Sequence, residues 1–280
     1  MRDLLPPTNA RQRQGVCVSR VVAVYLQEEP MFLQSYVLAV CLFRHDPGKA
    51  VLQKLVGTAF VFSKAGHFLT ARHVLESAIA EAEKHGWRVG LAIKGDNGKS
   101  VDTLMCPLDK FEPAPEPYDV AVGWIDYHPD TPIRLKRQEI TFWQRIATMG
   151  YPASASVVEG EALWMNMRGL KGYVQRPTLP RDMHIGNHPN GFELSFLLSP
   201  GLSGAPIFTV PDEVLIGIGV SSFKSEVLDA EIVEVSDDGK EYRERQLKIE
   251  QFGFAHDIQG LLDWKPVLFE GASLLEISAS

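Results

Sequence analysis

Apolar residues occur in this chain as short runs rich in Val, Phe and Leu, each broken by Gly, Pro or Asp. Such runs cover 38–43, 57–62, 67–70 and 87–93. The same style returns at 145–150, 162–167, 172–175, 192–198, 205–209 and 214–222. Runs this short, bounded by turn formers and enriched in β-branched and aromatic side chains, fit strands rather than helices. One stretch departs from the rule: 74–85 is rich in Ala and Glu and stops at Gly86, which predicts a helix with a glycine terminus. A short closing helix is expected over 258–264. Pro113, Pro115 and Pro117 each push the preceding residue out of the helical region, so the approach to Asp119 is extended. The pattern predicts an all-β chain of barrel or sandwich type with one or two helices. It contains no internal repeat and no low-complexity segment.

A chain of 280 residues has room for one large core or two modest ones. Pro129 and Pro132 mark a break. The sequence divides into an amino-terminal extension over 1–20, a first unit over 21–130, a linker over 131–140, a second unit over 141–270 and a tail over 271–280. Segment 224–250 stands apart, with nine acidic and five basic residues against a net charge of −7 for the whole chain. Asp237-Asp238-Gly239 is a good turn between 231–235 and 242–249, which predicts an exposed β-hairpin inserted between core strands. Its charges form either a solvated face or a surface that gates access or recognises a partner.

The acidic balance gives no reason to expect nucleic acid. Cys17, Cys41 and Cys106 have no paired spacing, which argues against a disulfide framework and for buried thiols in a reducing compartment. Residues 1–15 are polar and arginine-bearing, without an apolar signal core. Residues 31–43 are apolar but too short to cross a bilayer, and Gln34 and Ser35 interrupt them. A cytoplasmic protein with no membrane partner is expected. His184 and His188 would suit a metal on a helix, but Gly186, Asn187, Pro189 and Asn190 make the segment a loop with no third ligand. No metal and no organic cofactor are expected.

Chemistry concentrates at Ser199-Pro200-Gly201-Leu202-Ser203-Gly204-Ala205-Pro206. A serine between glycines suits a tight turn, and a glycine two residues earlier lets the backbone approach a substrate carbonyl. The N–H groups of Gly201 and Ser203 are then positioned to converge on a developing oxyanion. Serine becomes a nucleophile only when a base removes its proton, and that base needs a third group to fix its tautomer. Thr70-Ala71-Arg72-His73 and Tyr118-Asp119-Val120-Ala121-Val122 supply both, in the order His73, Asp119, Ser203. Asp102, Asp109 and Asp126 compete with Asp119, but the matching apolar strand follows none of them.

That order, with the flanking residues, resembles the trypsin/chymotrypsin-like serine proteases. Gly57-Thr58-Ala59-Phe60-Val61 and Phe68-Leu69-Thr70-Ala71-Arg72-His73-Val74 are similar to the family's strand pair ahead of its histidine. Asp119-Val120-Ala121-Val122 and Gly201-Leu202-Ser203-Gly204-Ala205-Pro206 resemble its aspartate strand and nucleophile turn. Gly150-Tyr151-Pro152 and Gly253-Phe254-Ala255 are closer in style to the intracellular and bacterial branches.

The resemblance spans most of the chain and implies two six-stranded antiparallel β-barrels with the site in the cleft between them. Ser203 would be the nucleophile, His73 the general base, Asp119 its orienting partner, and Gly201 and Ser203 the oxyanion hole. Leu197, Leu198, Pro200, Ser221, Ser222 and Phe223 would line the substrate. Protein or peptide substrates are implied, and an activating protein partner is a further expectation. The alternative is a protease-fold binding module without turnover.

Three departures stand out. Leu202 replaces the acidic residue used for activation by a new amino terminus. Leu197 replaces the acidic specificity residue, so a basic side chain has no anchor, and Leu197 is either pocket lining or plain core. Arg72 replaces the small residue usual before the histidine.

Overall fold

The computed structural model describes residues 35–46, 49–94, 103–129, 133–159, 162–182 and 187–279. Cys17, Asp102, His184, Gly186 and the extension over 1–20 lie outside the described residues. The first unit holds β1 (Val37–Asp46), β2 (Lys49–Val61), β3 (His67–Thr70), β4 (Arg88–Lys94), β5 (Thr103–Pro107), β6 (Lys110–Pro113) and β7 (Ala121–Trp124), with helix α1 (Arg72–His85) after β3. These strands form one antiparallel sheet in the order β5-β4-β1-β2-β3-β7-β6. It carries seven strands rather than six, because Thr103–Pro107 and Lys110–Pro113 are strands too short and too proline-bound to register as apolar runs.

The second unit holds β8 (Arg134–Leu135), β9 (Arg145–Gly150), β10 (Val157–Glu159), β11 (Ala162–Trp164), β12 (Arg168–Thr178), β13 (Gly191–Leu194), β14 (Pro206–Thr209), β15 (Val214–Val235) and β16 (Glu241–Asp257). Six of them close into a ring in the order β14-β9-β12-β13-β16-β15, completed by pairing of β14 with β15. β8, inside the expected linker, adds in parallel to the start of β15. The interior is continuous, since Leu215, Ile218 and Phe254 of the ring pack in the same buried cluster as Leu38, Phe60 and Leu69 of the first sheet. A second cluster around Ile146, Val174, Phe192 and Ile207 fills the ring itself. The fold is mostly β and of the expected two-unit kind.

Helix α1 behaves as its sequence requires. Val74, Leu75, Ala78 and Ala82 recur on one face and are buried, and Gly86 ends the helix in the left-handed conformation with φ +66°. Cys41 and Cys106 are buried free thiols.

Two elements differ from expectation. The acidic hairpin is not an insertion between strands: β15 and β16 run out of the ring unbroken and stay paired from Gly217↔Asp257 to Val235↔Glu241. The expected closing helix at 258–264 is only a 3₁₀ turn at Gln259–Leu261, and the terminal helix α2 (Leu274–Ala279) lies in the tail instead. Among the described residues no helix is long and apolar enough to cross a membrane.

Candidate active site

Strands β3 and β7 pair antiparallel, His67↔Trp124 through Thr70↔Ala121. The same register, continued past the strand ends, sets Arg72 beside Asp119, where the Arg72 N–H donates to the Asp119 carbonyl at 3.3 Å. His73 therefore meets Asp119 across a gap of 46 residues because two short strands share one register.

The contact is double. The His73 backbone N–H donates to Asp119 Oδ1 at 2.8 Å, and His73 Nδ1 lies 2.5 Å from Oδ2. An ionised carboxylate only accepts, so a ring proton sits on Nδ1, and in the uncharged ring the lone pair is left on Nε2. Helix α1 has Ala71 at its N-cap with no capping side chain. The Asp119 carboxylate supplies that cap from a distant segment, meeting one of the helix's unpaired N–H groups at its positive end. Burial on its own would raise the Asp119 carboxyl, but the hydrogen bonds and charge of His73 outweigh it and hold the group below its ordinary value. His73 remains 44% exposed on its side chain, open to a substrate.

Ser203 arrives from the other unit, in the turn between β13 and β14. Gly201 and Gly204 have φ of +95° and +87°, and both are packed tightly. A Cβ at Gly204 would collide with the Thr58 carbonyl and the Thr70 hydroxyl, so only glycine fits where this turn abuts β2 and β3. Thr58 pins the turn to the first unit. Its N–H donates to Ser203 O at 2.9 Å, its hydroxyl donates to Gly201 O at 2.7 Å, and the same hydroxyl accepts from Tyr151 N–H at 3.0 Å.

The Ala153 N–H donates to Pro200 O at 2.8 Å. In a trans peptide the N–H points opposite to the C=O, so this bond turns the Gly201 N–H away from Ala153. Among the described residues neither that N–H nor the N–H of Ser203 is taken by a backbone acceptor. Leu202 is fully buried in the ring's core, so an apolar anchor stands where the departure from the family had removed an ion pair.

The Ser203 hydroxyl donates to Val220 O at 3.3 Å, and among the described residues no hydrogen bond joins it to His73. Val220 is the extra residue of a bulge, since Gly219 pairs with Ala255 and Ser221 already with Phe254. Beyond the bulge, Ser222 Oγ accepts from Leu198 N–H at 2.9 Å and donates to Leu198 O at 3.1 Å, which locks the 197–199 segment against β15. Leu198 is buried, while Leu197 is 40% exposed and is not plain core. Ser221 Oγ is buried with no hydrogen-bond partner among the described residues. Phe223 packs edge-on against Phe254 at the point where the ribbon leaves the ring. Of the competing acids, Asp126 pairs with the exposed His128 at 3.1 Å.

Thr58, Ala153, the Val220 carbonyl and His256 were not legible as site residues. A backbone carbonyl and a single hydroxyl carry no sequence pattern, and His256 reads only as the end of a strand. For Thr58 alone the sequence offers a signal, the Gly57-Thr58 dipeptide of the strand pair ahead of the histidine.

The family model that matches the chain is described as a trypsin-like peptidase domain and covers residues 57–218. It ends at Ile218, before the exposed ribbon and β16. No curated protein matches the chain in sequence. Among solved structures, two of the HtrA-type protease AlgW with decapeptide, one carrying a serine-to-alanine substitution, share the fold. The substituted form has a TM-score of 0.53 at 15% identity over 86% of this chain, the other 0.51 at 16% over 80%. The chain spans 66% and 61% of those chains' lengths. The match over more than half its length places this chain in the trypsin-like peptidase domain family.

Proposed function

We propose that the chain is a serine endopeptidase in which Ser203 is the nucleophile, His73 the general base and then acid, and Asp119 the group that orients His73. The observation that carries this reading is the doubly bonded His73–Asp119 pair, which leaves Nε2 with its lone pair beside a turn holding a serine and two unengaged N–H groups. The Ser203 Oγ–carbonyl carbon bond forms as its proton passes to Nε2, and the C–N bond breaks as that proton passes to the leaving amine. Water then attacks the acyl ester, giving its proton to Nε2, and the carboxylic acid departs as Ser203 regains a proton. The Gly201 and Ser203 N–H groups bind the oxyanion in both halves, each worth about 2.7–4 kcal/mol. Leu197, Leu198, Pro200, Ser221, Ser222 and Phe223 line the peptide, and the exposed Leu197 favours an apolar rather than a basic side chain.

The peptide class of substrate is supported by the decapeptide named with the HtrA-type neighbours. A fluorophosphonate probe tests the whole reading: wild type is expected to label and Ser203→Ala to be inert. Full labelling of the Ser203→Ala protein overturns the assignment, and a wild type that stays inert under every activating condition tried favours the binding-module alternative.

One observation favours a latent form of the same enzyme. The Ser203 hydroxyl is spent on Val220 O and must leave it before His73 can take its proton. Labelling that appears only when a peptide or protein partner is supplied is the outcome expected of that form.

A further inference from the structure

His256 is the second-to-last residue of β16, paired with Gly191 of β13 and Ile218 of β15, and is 1% exposed. Its Nδ1 lies 3.1 Å from the backbone N of Asp119. An N–H can be accepted only by an unprotonated ring nitrogen, so Nδ1 carries the lone pair and Nε2 carries the hydrogen. That Nε2–H has a partner as well, Nδ1 of His188 at 3.3 Å. His188 packs edge-on against Phe254 and Phe223, and the Tyr118 ring meets His256 edge-on at 6.3 Å. The ring is thus held in one tautomer and one orientation, and burial among these groups disfavours its charged form. The charged or titratable neighbours that bear on it are Asp119, His188, His73 and Arg72.

The place of this bond in the fold gives it meaning. Asp119 precedes β7, so its N–H belongs to no ladder, and the turn closed by Tyr118 N–H to Pro115 O delivers it. Asp119 and His73 come from the first unit, while Ser203, Val220 and His256 come from the second. The bond from Asp119 to His256 is therefore a tie between the two units, anchored on the strand next to the one that holds Ser203's hydroxyl.

We propose that His256, held in its Nε2–H tautomer by His188, is a positioning residue that fixes the Asp119 backbone so that the carboxylate meets His73 in register with Ser203. The proposal rests on the roles assigned above to His73 and Asp119.

The test compares His256→Leu, which removes the acceptor, with His256→Asn, which returns one near the position of Nδ1. Each is followed by the rate of fluorophosphonate labelling and by the low-field proton resonance of His73 Nδ1–H, which reports the bond to Asp119 without any turnover. His256→Leu is expected to label at least tenfold more slowly and to lose or shift that resonance, and His256→Asn to recover most of both. A folded His256→Leu protein with wild-type rate and resonance overturns the proposal, as does a His256→Asn protein as impaired as His256→Leu. Should His256→Leu fail to fold, His188→Phe takes its place. It removes the partner that orients the His256 ring and is expected to slow labelling and shift the His73 Nδ1–H resonance, and an unchanged rate and resonance overturn the proposal. If wild type labels neither alone nor with a peptide or protein partner supplied, but the His73 resonance still answers to His256, the protease reading fails and the positioning role stands. If wild type labels and the resonance ignores His256, the reverse holds.

Discussion

Asp119 serves two clients with one carboxylate, the first turn of α1 and the ring of His73. Asparagine has the same shape but only one oxygen, so Asp119→Asn leaves either the helix N–H or the ring N–H facing an amide donor. Its labelling rate is expected to fall about 10⁴-fold, the scale set by losing the correct tautomer, and a labelling time course checks it. A loss under tenfold would show that Asp119 does not orient the base. Gly204→Ala is expected to fail differently. A Cβ there meets Thr58 and Thr70 atoms at a φ of +87°, so the thermal midpoint falls well below that of wild type. A melting curve within a degree or two of wild type would mean the turn can shift. At this scale the sequence exposed the groups with diagnostic neighbours, His73, Asp119 and Ser203. It could not expose His256 or Thr58, whose parts in the site depend on which atoms of the other unit they meet.

The exposed ribbon formed by β15 and β16 is the element that sequence patterning misjudged. Within the ring, β15 is a continuous buried apolar run, Val214 to Val220, and legible as such. Beyond Phe223 every residue through Val235 is exposed, and charges interleave with Val227, Leu228, Ile232 and Val233. A strand wet on both faces has no buried side to mark its period, so its unbroken length was hidden. The twelve residues from Lys224 to Val235 reach about 40 Å at about 3.3 Å per residue. A lone two-stranded ribbon is marginally stable, and this one has hydrogen bonds but no core beneath it among the described residues. Amide exchange is expected to be fast over 225–250 and slow over 214–220, and mass-resolved exchange distinguishes them. Equal protection along the whole of β15 would mean that the ribbon packs on something in solution.

Across the whole molecule, two neighbours in sequence pull stability in opposite directions with pH. Burial lowers His256 from 6.5 to about 4, so the unfolded chain takes up a proton first as pH falls, and stability is lost between 6.5 and 4. Burial raises Asp257 from 3.8 to about 6, so the folded chain takes up the proton first, and stability is gained as pH falls from 6 to 3.8. Each effect amounts to about 3 kcal/mol, and they offset. Asp257→Asn keeps the acceptor for the Gln259 N–H and removes only the titration. That variant is expected to lose about 3 kcal/mol between pH 6.5 and 4 that wild type retains, measured by urea unfolding at both values. Parallel pH trends would show that the offset is absent. The two-unit plan itself was legible, because each unit contributes its own run of short strands. The closing of only the second into a ring was not, because closure depends on the pairing of β14 with β15, which no local pattern announces.

Helix α1 begins without a cap of its own and borrows one from Asp119, forty-six residues downstream. Ordering the first turn of the helix and seating the histidine's partner are consequently one event, not two. A chain that has finished this helix has already assembled half of its candidate active site, and a chain that has lost the pair has begun to fray there.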